Sequence, residues 1–331
     1  MITRQIPQQR QPLGFFPTPL VSLNNLSKRL HGPRMLMKRD DQTGLASGGN
    51  KTRKLEFLFG EALAMGCDTV ITGGAAQSNH CRQTVAAAAS CGLQCHLVLG
   101  GEPARTAPKG NLLLNDLLGA HIHWTGKYRK GEKIPEIVLN LKEQGCRPYV
   151  IPYGGSNATG ALGFVDAVAE LTEQIKSMSI SIDTIVFASS SGGTQAGLMV
   201  GRHMVGADFE LIGIAIDKGE TGEKSFAEHI AAIANDTADL LELETSFSPA
   251  DIQLYEDYVG KGYGVVGKLE KKAIRIVAET EGILLDPVYT GRAMGGLLDL
   301  IDQGKFSPKD TVLFWHTGGL PALFSYAKDL Q

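Results

Sequence analysis

Short apolar runs alternate with amphipathic stretches along most of this chain. Thr69 to Thr72 has the β-branched, apolar character of a strand, and it leads through Gly73-Gly74 into a helix-like stretch from Ser78 to Ser90. Cys95 to Leu99 repeats the strand pattern, Asn111 to Leu118 reads as a helix, and Tyr149 to Pro152 as a strand. Ala161 to Ile175 carries a longer helical period. Thr184 to Ala188 is a short apolar run of the buried-strand kind; Ser191-Gly192-Gly193-Thr194 follows it, and then a helix from Gln195. Leu211 to Ile216, Lys268 to Glu281 and Val312 to Trp315 continue the alternation. Strand and helix taking turns predicts an α/β chain with mostly parallel, twisted sheets covered by helices. In such sheets ligands collect beyond the carboxyl ends of the strands.

Composition changes this picture chiefly at glycine. There are 40 glycines, many in doublets such as Gly48-Gly49, Gly73-Gly74, Gly154-Gly155, Gly192-Gly193 and Gly318-Gly319. Glycine lets the backbone approach a ligand closely, and several doublets follow a strand-like run, so they point to loops gathered at one sheet edge. The length, 331 residues, is more than one core usually takes, and two domains are expected. A net charge of −3 with scattered basic residues speaks against a nucleic-acid stripe or a membrane-surface patch. No apolar run approaches the length of a bilayer span. The cysteines, Cys67, Cys81, Cys91, Cys95 and Cys146, are odd in number and irregularly spaced, unlike a disulfide framework. Met1 to Arg10 is polar and lacks the apolar stretch of a signal peptide, so a reducing cytoplasm is expected.

Candidate chemistry sits at the strand-to-helix junctions. In Gly48-Gly49-Asn50-Lys51-Thr52-Arg53-Lys54 a backbone turn precedes a lysine; sheltered, such an amine becomes nucleophilic, and otherwise the segment is a solvated basic turn before a helix from Leu55 to Ala64. Ser189 to Thr194 follows a strand and opens a helix, the arrangement of a phosphate cradle, with Ser191 or Thr194 as simple caps in the plainer alternative. Gln77-Ser78-Asn79-His80 occupies a similar junction, where Ser78 or Asn79 caps the helix. Near the end come Asp286-Pro287-Val288-Tyr289-Thr290-Gly291 and His316-Thr317-Gly318-Gly319. Gly262-Tyr263-Gly264-Val265-Val266-Gly267 spells a dinucleotide pattern, but the mixed, charged segment before it is no strand, which argues against that use. Cys91, Cys95 and His96 match no metal spacing, and no metal is expected.

Taken together, these segments resemble the D-cysteine desulfhydrase and 1-aminocyclopropane-1-carboxylate (ACC) deaminase family of pyridoxal-phosphate enzymes. The resemblance runs from about Pro17 to Tyr326 and rests on Lys38 to Asp41, Gly48 to Glu56, Gln77 to His80, Pro148 to Asn157, Ser191 to Gly197, Gly282 to Gly291 and His316 to Gly319. It implies the tryptophan-synthase β-like fold (fold type II), with 1–54 and 166–331 as a larger cofactor-binding domain, 55–165 as a smaller α/β domain, and the active site between them. It also implies a homodimer, pyridoxal 5′-phosphate as cofactor and a small amino acid as substrate. By the same resemblance Lys51 is the Schiff-base lysine, Asn79 meets the cofactor's phenolic oxygen and Ser78 meets the substrate carboxylate. Ser191, Gly192, Gly193 and Thr194 form the phosphate loop with Lys54 nearby, and Tyr263 and Tyr289 are active-site tyrosines.

Two positions bear on the reaction. The resemblance implies that ACC deaminases carry Glu at the position of Thr290, facing the pyridine nitrogen, and Leu at that of Thr317. A neutral hydroxyl cannot hold the ring proton that a carboxylate shares. Opening a cyclopropane needs the stronger electron sink, whereas β-elimination of a thiol needs less. The expected activity is therefore elimination from D-cysteine to pyruvate, sulfide and ammonia, with ACC deaminase or cysteate sulfo-lyase chemistry as the alternative.

Overall fold

A computed structural model of the chain describes residues 9–103, 106–217 and 224–331. Most of the polar N-terminal stretch, 1–8, lies outside the described residues. The strands are β1 (Leu20–Ser22), β2 (Arg34–Arg39), β3 (Thr69–Ala75), β4 (Gln94–Gly100), β5 (His121–Trp124), β6 (Pro148–Val150), β7 (Thr184–Ser189), β8 (Glu210–Ala215), β9 (Leu254–Tyr255) and β10 (Thr311–His316). The helices are α1 (Asn24–Leu30), α2 (Lys51–Ala64), α3 (Asn79–Cys91), α4 (Gly110–Leu117), α5 (Ile134–Glu143), α6 (Ala158–Met178), α7 (Gly193–Val205), α8 (Phe226–Leu240), α9 (Lys268–Glu281), α10 (Thr290–Asp302), α11 (Leu320–Ser325) and α12 (Ala327–Leu330).

Two sheets result. The larger runs β1-β2-β10-β7-β8-β9 and the smaller β5-β4-β3-β6. All neighbouring strands are parallel except β1, which pairs antiparallel with β2 through Leu20 opposite Lys38. β7 (TIVFAS) and β10 (TVLFWH) are buried at every position. Helices cover both faces of the larger sheet, so these strands read as unbroken apolar runs rather than alternating ones. Phe164, Phe187, Leu198 and Trp315 fill one face with α6, α7 and α8; Ile214, Val277, Leu297 and Phe314 fill the other with α9 and α10. Each such fully buried aliphatic or aromatic side chain contributes about 1.5–3 kcal/mol over its exposed state. On the smaller sheet Leu97 shares a core with Leu55 of α2 and Val85 of α3, and Ile71 and Val98 share one with Ile134 of α5.

A buried polar knot joins α2 to the larger sheet. Arg53 donates to both Asp40 oxygens at 2.9 Å and to Glu170 at 2.9 Å, and Trp315 Nε1 donates to Asp40 at 2.8 Å. Arg53 is thus spent inside the protein, and the basic segment after Gly48 is not a solvated turn. Helix α2 starts at Lys51 and α7 at Gly193, each earlier than the residue pattern suggests. Among the described residues no helix is long and apolar enough to cross a membrane.

Candidate active site

The ends of β3, β7 and β10 deliver their loops to one cleft, and three helices begin on its walls. Lys51 is the first residue of α2, Ser78 is the N-cap of α3, and Gly192 is the N-cap of α7. Of the residues singled out from the sequence, Lys51, Ser78, Asn79, Ser191, Gly192, Thr194, Tyr289 and Thr317 line the cleft. Lys54 and Tyr263 do not line it but bond residues that do, Gly154 and Tyr289, while Gly193 and Thr290 directly follow lining residues in the chain.

Lys51 Nζ donates to Asn50 Oδ1 at 3.3 Å. Burial lowers its pKa to about 8, with Asp286 opposing the shift. Such an amine is partly uncharged near neutrality and can attack a carbonyl. The backbone around it is set by two touching glycine loops: Asn50 N donates to Thr317 O at 3.0 Å, and a Cβ on Gly318 would stand 2.7 Å from Gly49 Cα.

The loop after β7 forms the anion wall. Gly192 has φ 83° and no side chain caps α7, so neither Ser191 nor Thr194 plays the cap. Ser191 Oγ instead accepts from Ser156 Oγ at 2.8 Å. Ser156 Oγ also accepts from Gly193 N at 3.2 Å and from Lys54 Nζ at 3.1 Å. Lys54, one turn beyond Lys51, thereby leans on this loop. Burial, then the nearby Lys51 charge, holds the Lys54 amine well below its usual range.

The start of α3 is built differently. Ser78 Oγ accepts from Cys81 N at 3.2 Å, a closed cap. Asn79 Oδ1 accepts from Arg82 Nη1 at 3.1 Å and from Asn111 Nδ2 at 2.8 Å. His80 Nε2 pairs with Thr72 Oγ1 at 2.9 Å, and burial keeps the imidazole well below its usual pKa.

On the third wall Tyr289 OH and Tyr263 OH lie 2.6 Å apart, with ring centroids at 5.9 Å in an edge contact. Burial raises both phenols well above their ordinary range, so both stay protonated. The Arg129 guanidinium covers the Tyr263 ring at 4.6 Å and pairs with Asp217. Thr290 Oγ1 and N both donate to Asp286 Oδ1 at 2.8 Å, while Asp286 Oδ2 accepts from Val288 N and Tyr289 N at 3.0 Å. The Thr290 hydroxyl is thus held by the carboxylate that organises the start of α10.

The donor set fits an aldehyde bearing a phosphate. Lys54 and Arg82 are both buried, and among the described residues neither has a carboxylate within ion-pair distance. Buried there, an amine or guanidinium keeps its charge only beside a compensating anion. The start of α7, which Lys54 reaches through Ser156, offers backbone N–H groups to an anion at that loop. A nucleophilic lysine stands beside both.

Several wall residues carried no role in the sequence: Asn50, Tyr153, Gly154 and Ser190 line the cleft, and Asp286, Arg82 and Asn111 hold its side chains. Asp286 had a local signal, an aspartate four residues before Thr290 at a helix start. Arg82 and Asn111 had none. Cys95 and His96 point to opposite faces of β4, Cys95 into the core beneath α2 and α3 and His96 onto His121 and His123.

Comparison with known proteins agrees with this chemistry. Residues 12–318 match the family described as "Pyridoxal-phosphate dependent enzyme". The chain is 44% identical over 315 residues to D-cysteine desulfhydrase of Klebsiella pneumoniae (strain 342), covering 94% of each chain, and equally so to that of K. pneumoniae subsp. pneumoniae. A solved ACC deaminase homologue is 38% identical with a TM-score of 0.91, covering 99% of this chain and 98% of its own. The processed form of threonine deaminase isoform 2 from Solanum lycopersicum shares the fold, with a TM-score of 0.64 at 18% identity over 95% of this chain and 82% of its own. The chain belongs to the pyridoxal-phosphate dependent enzyme family, with the α/β architecture of fold type II and pyridoxal phosphate as its cofactor.

Proposed function

We propose that this chain eliminates hydrogen sulfide from D-cysteine, after which water releases pyruvate and ammonia. The observation that carries the reading is similarity over 94% of the chain to D-cysteine desulfhydrases, joined to hydroxyl residues at 290 and 317. When bound, the cofactor supplies an electron sink for charge on the substrate Cα. The protein does the rest. Ser191, Gly192, Gly193 and Thr194 hold the phosphate with Lys54 behind them, and Asn79 meets the phenolic oxygen. Lys51 carries the cofactor and then takes the Cα proton, a task suited to an amine near pH 8. Ser78, whose oxygen accepts from Cys81 N, turns its hydroxyl to the substrate carboxylate. Tyr289, backed by Tyr263, donates to the departing sulfur. Thr290 and Thr317 leave no carboxylate side chain at these two positions for the ring nitrogen, which suits a good leaving group.

The similarity to an ACC deaminase homologue keeps ring opening of ACC as the second reading, and cysteate is a further substrate to compare. We further assign residues 1–54 and 166–331 to the larger domain and 55–165 to the smaller, with a homodimer in the cytoplasm as the working form. Pyruvate release measured across D-cysteine, L-cysteine, cysteate and ACC tests the activity: D-cysteine should show the highest kcat/KM, and a higher value for ACC overturns the reading. Lys51→Ala should abolish both turnover and the yellow colour of the purified protein; retention of both refutes the assignment of Lys51.

A further inference from the structure

The amide of Asn79 is not free to choose which end it shows the cleft. Arg82 is fully buried and carries only donors. Its Nη1 reaches Asn79 Oδ1 at 3.1 Å and Asn111 Oδ1 at 2.7 Å, so both atoms facing it must be oxygens. Asn111 then has only its Nδ2 left to offer, and that atom donates to Asn79 Oδ1 and to Gln77 O, both at 2.8 Å. The orientations agree throughout the network. Asn79 Oδ1 holds two donors from the protein, and among the described residues Asn79 Nδ2 has no protein acceptor, on a residue that lines the cleft.

The same guanidinium reaches the lysine loop. Arg82 Nη2 donates to Gly48 O at 2.5 Å, three residues before Lys51. Gly48 has φ 69°, and a Cβ there would lie 2.0 Å from Asp41 O, so the turn cannot relax by accepting a side chain. Arg82 therefore ties the backbone that presents Lys51 to the amide that faces the cofactor. Among the described residues it has no carboxylate at ion-pair distance, and Asp286 steadies its charge only from farther off.

We propose that Arg82 and Asn111 are positioning residues that lock Asn79 as a hydrogen-bond donor to the phenolic oxygen of pyridoxal phosphate, an anionic oxygen that adds to the compensation of the buried Arg82 cation. Neither residue touches the cofactor. A donor aimed at the phenolate, with a cation behind it, stabilises the anionic form and polarises the ring toward the lysine-bearing carbon. This inference rests on pyridoxal phosphate occupying the cleft.

The test uses the full chain stripped of cofactor and titrated with two probes, pyridoxal phosphate and 3-deoxypyridoxal phosphate, which lacks only the phenolic oxygen. The ratio of their dissociation constants reports contacts to that oxygen. Asn111→Asp places a carboxylate oxygen against Asn79 Oδ1, and repulsion should turn the amide over while Arg82 gains an ion-pair partner. The preference for pyridoxal phosphate should then fall at least tenfold, with affinity for the deoxy probe kept within about twofold. Asn79→Ala should lose the same preference, and the double variant no more than either single one. In Asn111→Asp the absorbance of the bound cofactor should also titrate at higher pH, because the phenolic oxygen has lost its donor. Asn111→Ala, in which Arg82 still holds Asn79 Oδ1, should keep most of the preference. An unchanged ratio in Asn111→Asp overturns the proposal, and so does an equal loss for both probes. Failure of the unmodified chain to bind either probe would instead overturn the placement of the cofactor.

Discussion

Helices α3 and α7 both start at the cleft from the end of a parallel strand, yet they treat their first N–H groups in opposite ways. Helix α3 closes its start with Ser78, whose hydroxyl accepts from Cys81 N. Helix α7 has Gly192 at the cap, φ 83°, with no capping side chain of its own; Ser156 Oγ meets Gly193 N, and the next N–H groups stay open toward the cleft. The positive end of α7 is left for an anion, while that of α3 is already engaged by its own serine. An anion site is thus made as much by a missing cap as by a glycine turn. Helix α2 is a third case. It opens with Lys51, a cation at the helix end where a cation is least favoured; Asn50 gives it no cap, and a remote side chain, Gln83 Oε1, accepts from Thr52 N at 2.9 Å.

The comparison is broken most severely by giving α7 a side chain where it has none. A Cβ on Gly193 would stand 2.8 Å from Ser156 Oγ and 2.9 Å from Ser156 Cα. The backbone atom cannot swing aside, so Gly193→Val must displace the loop that receives phosphate. Affinity for pyridoxal phosphate should fall on the order of 100-fold, near the ~3 kcal/mol upper range for an overpacked site. Equilibrium titration of the stripped chain checks this, and a change below about threefold would mean that the α7 start does not hold the phosphate.

The cationic start of α2 makes the next prediction, in pH. The Lys51 amine has a folded pKa of about 8 against 10.5 for a lysine open to water. Between those values the unfolded chain holds a proton that the folded chain does not. Folding without cofactor is therefore weakened by Lys51 as pH falls from 10.5 to about 8, and by a constant amount below that. The slope is at most about 1.4 kcal/mol per pH unit. Lys51→Met should stabilise the cofactor-free chain at pH 7.5, with the gain fading toward pH 10.5. Urea unfolding at both pH values reads the difference; a gain independent of pH would mean that the amine is not desolvated.

How much of this was legible depends on how far apart the partners lie. Strands β7 and β10 announce themselves because burial on both faces makes them unbroken apolar runs, whereas β9, two residues long, and β5, a half-buried edge, leave no pattern. The turn at Gly192-Gly193 was readable as an anion cradle. Its open cap was not, because Ser191 and Thr194 both flank it and only the partner Ser156, 35 residues away, shows where the Ser191 hydroxyl goes. The segment around Lys51 looked as much like a solvated basic turn as a reactive one, since Asp40 and Glu170, which bury Arg53, are remote in sequence. The tyrosine pair spans 26 residues and two loops, with no period to follow. Thr290 is the opposite case. Its tie to Asp286 is four residues long, and an aspartate at that spacing before a helix start is a local signal for a capping carboxylate.

The smallest effect, and the one that sharpens the contrast most, belongs to Ser78. Its oxygen caps α3 and the residue lines the cleft, so Ser78→Ala removes the cap and the hydroxyl proposed for the substrate carboxylate at once. Losing the cap leaves Cys81 N without its partner in a buried setting, which costs about 1 kcal/mol of folding stability. Losing the hydroxyl removes one hydrogen bond to the substrate carboxylate, and KM for D-cysteine should rise by up to about tenfold. The uncapped α3 start could also draw the carboxylate toward its bare N–H groups and reduce that rise, which separates the two roles: stability falls in full while KM moves less. Affinity for pyridoxal phosphate should stay within about twofold, because the phosphate is held by α7. Urea unfolding, KM and cofactor titration on one variant give all three numbers. A loss of cofactor affinity matching the rise in KM would mean that the start of α3 shares the phosphate with α7, and the division between closed and open helix starts would fail.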